Sequence, residues 1–245
     1  MLINADVKSL EVFVAADLSD DKVLKRELTD RLDLHALNQG RFNLPDRVTA
    51  KRFIFKLLYG ATAYGYSTDT DFIGVGFNEK QWQKVIDEFY NKYVGIAKWH
   101  NDIIQRVKSD GVLEIPSGRY YSYAPKKVGG LESGYGYKWP LTTIKNYPVQ
   151  GFGAELVKLA RVEFWQRLQA SGLPAKFIQT IHDSLVVDVD NDEKVVYNIC
   201  TMLRESIEAT PKLCKEWFDY EFSLPIWCEI QVGPNKADMV EYKFN

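Results

Sequence analysis

Two aspartates stand where an acidic side chain is costly. Asp6 ends an apolar, strand-like segment, and Asp183 lies in a polar turn, His182-Asp183-Ser184, between two apolar segments. A carboxylate on the rim of a buried sheet is unfavourable unless it is paired or binds a metal. Together the two acids could hold two Mg²⁺ ions and align the attacking and leaving oxygens of a phosphoryl transfer. In the alternative interpretation, Asp6 caps the following helix and Asp183 only forms a turn.

Four residues recur at every fourth position after Pro45, namely Arg47, Lys51, Phe55 and Tyr59. Each step of four residues rotates the position by about 40° around a helix axis. The four residues therefore share one face that winds slowly along the helix. The two cations suit phosphate oxygens near the positive end of the helix dipole, and the two rings suit a flat group. Over about 18 Å this face has the shape of a nucleoside triphosphate. The alternative is a solvated basic face above a buried aromatic one.

The remaining patterns predict an α+β fold, with a small sheet built from both ends of the chain and a mostly helical insert. A strand is expected up to Asp6 and a helix soon after it. Further helices are expected at 19–39, after Pro45 up to Gly60, at 79–109, at 152–171 and at 192–209. Hairpins and loops are expected at 111–145, two strands joined by the polar turn at 177–189, and a last strand at 226–232.

Composition excludes several classes of protein. The net charge is −2, from 31 basic and 33 acidic residues, so bulk positive charge cannot bind nucleic acid, although a local basic groove can. Hydrophobic residues make up 46% of the 245 residues, which is typical of a globular chain. No apolar run is long enough for a membrane span, and neither a signal peptide nor a cysteine framework is evident. A reducing compartment is expected.

Four segments in register resemble the motifs of family A DNA polymerases. Asp6, followed five positions later by Glu11, is similar to the first palm motif, and His182-Asp183 is similar to the third. The helix from Arg47 to Tyr59-Gly60 resembles the fingers helix. The stretch Asn146-Tyr-Pro-Val-Gln150-Gly resembles the segment that reads the minor groove of the primer–template. Residues 33–45 are similar to podophage replicative polymerases in particular.

The resemblance implies roles for the residues nearest the reaction. Asp6 and Asp183 would be ligands of two Mg²⁺ ions, with the Val7 carbonyl as a third ligand. Arg47 and Lys51 would bind the triphosphate of the incoming deoxynucleotide (dNTP), and Lys51 could protonate the departing pyrophosphate. His35 would contact the phosphates, and Phe55 would belong to the same nucleotide-binding face.

It also implies roles in selectivity and DNA binding. Glu11 would lie under the sugar, hydrogen-bonded to Tyr59, and exclude a ribose 2′-OH; Tyr59 would also stack at the templating position. Asn146 and Gln150 would reach acceptors that every base pair shares in the minor groove. His182 would approach the primer end. Arg119 would bind DNA or give structural support.

The implied architecture is the right-hand polymerase fold. Residues 1–33 and 131–245 would form the palm, with its small antiparallel sheet, and residues 34–130 the helical fingers. Thumb and exonuclease are not expected in this chain. The partners would be primer–template DNA, dNTP and a second chain that supplies the thumb and the rest of the palm, with a 3′–5′ exonuclease as a further candidate part; no membrane is expected. The strand near Asp6 is expected to offer that chain an unpaired edge.

Two departures from the family pattern bear on the type of polymerase. Ser184 stands where many family A DNA polymerases have Glu and resembles single-subunit RNA polymerases, although Glu11 argues against an RNA polymerase. Phe55 stands where many have Tyr, and it cannot replace a missing 3′-OH. A naturally split, phage-type enzyme is favoured over a fragment of a longer polymerase and over a non-catalytic DNA-binding remnant. Such an enzyme would work in the cytoplasm of a bacterial host.

Overall fold

The computed structural model describes residues 1–130 and 134–244, which divide into two compact units. The first unit comprises Met1–Leu10 and the residues from Gly151 onward, and the second comprises Glu11–Gln150. Residues 131–133, with which the predicted second palm segment begins, lie outside the described residues. Within the described part of the chain, no helix combines the length and apolar character that crossing a bilayer requires.

The helices and strands account for most of both units. The helices are α1 (Leu10–Ser19), α2 (Lys22–Thr29), α3 (Leu34–Arg41), α4 (Arg47–Leu58), α5 (Ala63–Thr68), α6 (Glu79–Lys92), α7 (Val94–Asp110), α8 (Leu141–Ser171), α9 (Glu193–Glu208) and α10 (Thr210–Phe218). The strands are β1 (Leu2–Val7), β2 (Val112–Glu114), β3 (Tyr120–Ser122), β4 (Lys126–Gly130), β5 (Gly134–Lys138), β6 (Ala175–Ile181), β7 (Ser184–Val189), β8 (Cys228–Gly233) and β9 (Val240–Glu241).

The first unit is built on an antiparallel sheet in the order β6-β7-β1-β8-β9, against which α9 packs. β1 lies in the middle of this sheet and pairs with β7 on one side and β8 on the other. The expectation that β1 offers an unpaired edge is therefore wrong. Ile3, Asn4 and Ala5 of β1 are all buried. Both faces of this strand are therefore covered, which agrees with its central position.

The turn between β6 and β7 forms where the sequence predicts it. His182 adopts a left-handed backbone conformation with φ of 52°, and the Ser184 hydroxyl donates to the Ile181 carbonyl at 3.0 Å. Asn, Asp and His tolerate this conformation better than β-branched residues do. The polar triplet thus closes the hairpin by its own local chemistry.

An aromatic cluster forms the centre of the second unit. Phe53 and Tyr66 both stack on Trp82, with ring centroids 5.9 and 4.9 Å away, and the Tyr66 hydroxyl donates to the Phe53 carbonyl at 2.7 Å. Trp82 and Phe89 are buried on the inner face of α6, as their spacing predicts. α4 directs Phe53 and the buried residues next to it into this cluster. The opposite face of α4 is therefore exposed to solvent.

Both ends of α4 are capped. The Asp46 carboxylate accepts from the Thr49 amide at 2.8 Å. At the other end Gly60, with φ of 85°, donates to the Leu57 carbonyl at 2.8 Å, and Ala61 donates to the carbonyl of Lys56 at 2.9 Å. This pair of bonds is the usual termination around a left-handed glycine. The predicted limits of this helix are confirmed.

Several regions differ from the predicted elements, and among them α5 and β9 lie where the sequence patterns predict no element. The segment 19–39 is two helices, α2 and the start of α3, because Arg31 turns left-handed with φ of 54°. α8 starts at Leu141 rather than at 152 and continues through Pro148, since buried Ile144 and Phe152 on either side outweigh the one hydrogen bond that a proline removes. α10 is an element that the sequence patterns do not predict.

Candidate active site

Asp6 lies on β1 of the first unit, and Asp183 lies in the turn that leads into the neighbouring strand β7. The Val7 amide donates to the Asp183 carbonyl at 3.1 Å, and Asp6 is paired in register with Ser184. Residues one step apart on paired strands lie within a few ångströms of each other. The structure therefore brings the backbones of the two acids close together, although the sequence takes them from opposite ends of the chain.

The Asp183 carboxylate is half-buried, and no residue in 1–130 or 134–244 forms a hydrogen bond or ion pair with it. The Ser184 side chain is 4% exposed, and its hydroxyl is used within the turn. It therefore does not bind the Asp183 carboxylate. On the other side of Asp6, the register partner Glu229 is held by Lys8, with 2.6 Å between Nζ and Oε2. A half-buried carboxylate without a protein partner is a candidate cation ligand.

The set of oxygen donors suits one kind of metal ion. In the described part of the chain, no three or more His, Cys, Asp or Glu side chains gather closely enough to hold a metal by themselves. Mg²⁺ does not need such a cage, because it keeps several waters and is held by one or two carboxylates together with substrate phosphates. Asp6, Asp183 and the Val7 carbonyl therefore fit Mg²⁺ better than a metal that the protein encloses.

His182, which the sequence assigns to the primer end, lies beside this pair. It precedes Asp183 in the turn, and its side chain is exposed. The left-handed backbone at this residue sets the direction in which the chain enters β7.

The exposed face of α4 carries the predicted phosphate-binding residues in the second unit. The Arg47 Nε donates to Oδ2 of Asp33 at 2.7 Å, and both side chains are about half exposed. Lys51 is exposed, with its Nζ 5.8 Å from the centroid of the Phe55 ring. The Phe55 ring in turn lies 6.1 Å from the ring of His35. The structure thus groups Arg47, Lys51 and Phe55 on one surface, with the His35 ring next to Phe55.

His35 is buried beneath the two cations. It is 6% exposed, and its Nδ1 has no hydrogen-bond partner among the described residues. Burial, together with the charges of Arg47 and Lys51, lowers the pKa of His35 to about 4, against a smaller opposing effect of Asp33. The ring is therefore neutral at pH 7, and one of its nitrogens can accept a hydrogen bond.

Asp33 is a residue of this surface to which the sequence patterns give no role. Its Oδ1 accepts from the amides of His35 and Ala36, both at 3.1 Å, and so caps α3. The bond from Arg47 is the largest of the effects that lower the pKa of Asp33. An aspartate directly before an apolar helical segment was the available signal for the cap, whereas nothing in the spacing indicates the ion pair with Arg47.

A second set of cations on α4 is neutralised. Lys56 contacts Asp69 and Asp71, the latter at 3.1 Å, and Arg52 lies 3.4 Å from Asp71. By contrast, no carboxylate among the described residues pairs with Lys51. The ion pairs therefore leave Lys51 and the terminal nitrogens of Arg47 as the cations available to an anion on this helix.

The remaining predicted residues of the second unit lie on separate elements. Glu11 is in the first turn of α1, and Tyr59 is the residue at which α4 ends. Asn146 and Gln150 share one face of α8, where the Asn146 Oδ1 is buried without a partner among residues 1–130 and 134–244, and Gln150 is exposed. Arg119 is exposed just before β3, whose Tyr121 packs on Tyr147 of α8 with 5.4 Å between ring centroids.

Comparison with solved structures identifies the fold. The chain is similar to the POL domain of Pol1 from M. smegmatis, solved in complex with DNA primer-template and dNTP, with a TM-score of 0.73 and 19% sequence identity. The match covers 94% of this chain and 38% of that one. The protein therefore has the fold of a polymerase domain.

Comparison with protein families identifies the relatives. The model of DNA polymerase family A matches residues 1–238, so the chain belongs to this family. It is 28% identical to DNA polymerase I of Pseudomonas aeruginosa over 96% of this chain, and 26% identical to the thermostable DNA polymerase I of Thermus filiformis over 99% of it. It spans about a quarter of these relatives, 24% and 27% of their respective lengths.

Proposed function

We propose that this chain carries the palm and fingers of a DNA polymerase and transfers deoxynucleotides to a primer 3′-OH under the direction of a template. The observation that carries this proposal is the placement of Asp6 on β1 beside the turn that holds Asp183, with an Asp183 carboxylate that lacks a partner among the described residues. Family membership supports the same reaction.

In the proposed reaction the primer 3′ oxygen attacks the α-phosphorus, and the bond from that phosphorus to the bridging oxygen breaks to release pyrophosphate. Asp6, Asp183 and the Val7 carbonyl would hold two Mg²⁺ ions, which when bound stabilise negative charge on the attacking and leaving oxygens. Arg47 and Lys51 bind the triphosphate, and Lys51 can deliver a proton to the pyrophosphate. Neutral His35 would accept or donate a hydrogen bond beside these cations.

Selectivity is assigned to residues around the base pair and the sugar. Glu11 excludes a 2′-OH and Tyr59 stacks at the templating position, while Phe55 belongs to the nucleotide-binding face. Asn146 and Gln150 check the geometry of the minor groove. His182 and Arg119 contact the DNA.

The proposed architecture assigns residues 1–33 and 131–245 to the palm and 34–130 to the fingers. The relatives are about four times as long, so in this architecture the thumb and the rest of the palm come from further polypeptide. We propose a phage-type polymerase in which a second chain supplies them in the cytoplasm of a bacterial host; the alternative is a longer chain that contains this sequence. Primer extension by this chain with and without a purified candidate partner decides between them.

Replacement of Asp183 by Asn tests the reaction. Asp183→Asn should lower Mg²⁺-dependent incorporation by the complete polymerase at least about 100-fold, because one of two carboxylate ligands is lost. Asp190→Asn is the matched control, since Asp190 is an exposed acid just beyond the other end of β7. Unchanged incorporation by Asp183→Asn would instead support a DNA-binding accessory role.

A further inference from the structure

A buried polar chain of three residues lies behind the C-terminal end of α4. Lys145 of α8 donates from Nζ to the hydroxyl of Tyr90 in α6 at 3.4 Å. That hydroxyl is 3.1 Å from Nδ1 of His100 in α7. His100 is 3% exposed, and Tyr90 and Lys145 are half-buried. The proposed reaction uses none of the three.

The direction of the hydrogen bonds follows from the chemistry of each group. An ammonium group only donates, so the Tyr90 oxygen accepts from Lys145 and forms a further hydrogen bond with Nδ1 of His100. Burial and the charge of Lys145 lower the pKa of His100 to about 3, so its ring is neutral and carries a proton on one nitrogen only. Nε2, the other ring nitrogen of His100, is buried without a hydrogen-bond partner among the described residues. The polar chain therefore runs from α8 through α6 to α7.

The stem of Lys145 contacts the same end of α4 directly. A Cβ atom on Gly60 would lie 3.0 Å from Cδ of Lys145 and 3.1 Å from Cα of Thr142. The Thr142 hydroxyl also donates to the Gly60 carbonyl at 3.5 Å. The first turns of α8 thus approach the end of α4 as closely as a glycine permits. The aliphatic part of the Lys145 side chain lies in this contact, and its ammonium group is hydrogen-bonded to Tyr90.

We propose that Lys145, Tyr90 and His100 are positioning residues that fix the C-terminal end of α4, and with it Tyr59, against the first turns of α8. The part of this inference that concerns Tyr59 rests on the proposed function. Because Asn146 follows Lys145 on α8, the same contact ties the end of the nucleotide-binding helix to a residue proposed to read the base pair. A buried polar chain of this kind holds one arrangement because its members lose hydrogen bonds in any other.

Hydrogen exchange tests the structural part without any need for activity. The amides of Gly60 and Ala61 close the last turn of α4. In the nucleotide-free chain, Tyr90→Phe and Lys145→Met should each speed exchange at these two amides about tenfold or more. Asp21→Asn is the control, because Asp21 is a buried cap of α2 that also binds the Gly95 amide at 2.7 Å and does not touch α4. Unchanged exchange in Tyr90→Phe, which keeps the ring, would overturn the proposal even if Lys145→Met fails to fold.

Kinetics test the functional part in the complete polymerase. Each variant should raise KM for dNTP about three- to tenfold with kcat changed less than about twofold, since nucleotide placement is affected and the metal-binding acids are not. The double variant should show less than the product of the single effects, because both break one chain. Independent effects would contradict the proposal. If the parent enzyme incorporates nucleotides slowly but amide exchange is still altered in the variants, that result would count against the proposed function alone.

Discussion

Asp33 binds the guanidinium of Arg47 with one carboxylate oxygen and caps α3 with the other. The two contacts make different demands on the side chain. Asparagine keeps a good cap but cannot form the ion pair, and alanine loses both. An ion pair between half-exposed side chains contributes about 0–1 kcal/mol.

Asp33→Asn should therefore lower the free energy of unfolding by less than about 1 kcal/mol, and Asp33→Ala should lower it by about 1 kcal/mol more, the usual value of a cap. Urea denaturation of the two variants measures the difference. Equal losses in both would show that the ion pair with Arg47, rather than the cap, stabilises this helix.

The two buried histidines should make the fold sensitive to mild acid. The folded pKa of His35 is about 4 and that of His100 about 3, both below the value of about 6.5 in an unfolded chain. The unfolded state therefore binds more protons, and the free energy of unfolding falls as the pH drops from about 6.5 towards 4. Each histidine should contribute a loss of about 3 kcal/mol over this window.

Denaturation between pH 7 and pH 4.5 checks this effect. His35→Gln should reduce the slope of unfolding free energy against pH, because one of the two groups no longer titrates. The carboxylates with lowered pKa values, such as Asp33 and Asp46, lose their contribution only as the pH falls below their unfolded values near 4. Parallel curves for the variant and the parent would contradict the assignment to His35.

Gly60 should not tolerate a side chain. Its φ of 85° is strained for any residue with a Cβ atom, and that atom would meet the Cα of Thr142 at 3.1 Å. Gly60→Ala should lower the free energy of unfolding by about 1–3 kcal/mol. Gly40→Ala is the matched control, because no atom lies within 4 Å of the added carbon, and this variant should be neutral or stabilise α3 by up to about 1 kcal/mol.

Phe55 should make the polymerase resistant to dideoxynucleotides. A phenol at this position can stand in for the missing 3′-OH, and a phenyl ring cannot. Phe55→Tyr should increase chain termination by about tenfold or more, the value of one hydrogen bond near a charged group. Primer extension with mixed dNTP and dideoxynucleotides measures this ratio, and equal termination by the parent and the variant would refute the role of Phe55.

Local signals account for the elements that the sequence predicts well. The limits of α4 follow from Asp46 and Gly60, and the hairpin follows from a polar triplet between two apolar runs. α8 is predicted too short because Pro148 usually ends a helix, whereas here packing on both sides outweighs this preference. The central position of β1 depends on pairing with strands some 180 and 220 residues away, which no local pattern reveals.

In the candidate site, too, local signals predict some features, and others depend on contacts between distant elements. The face shared by Arg47 and Lys51 follows from helical periodicity, and the chemistry of Asp6 and Asp183 follows from acids placed among apolar residues. The ion pair between Arg47 and Asp33 and the polar chain from Lys145 to His100 join residues from different elements. Such contacts depend on how the helices pack, so residue spacing could not predict them.

The central position of β1 also sets an order of assembly. Its partners include β8, so β1 cannot complete its pairing until a strand some 220 residues further along the chain has left the ribosome. The helical unit relies on contacts closer in sequence, and such contacts form quickly. We therefore expect the helices of the second unit to gain structure early in translation, whereas the pairing of β1 is complete only after β8 has emerged.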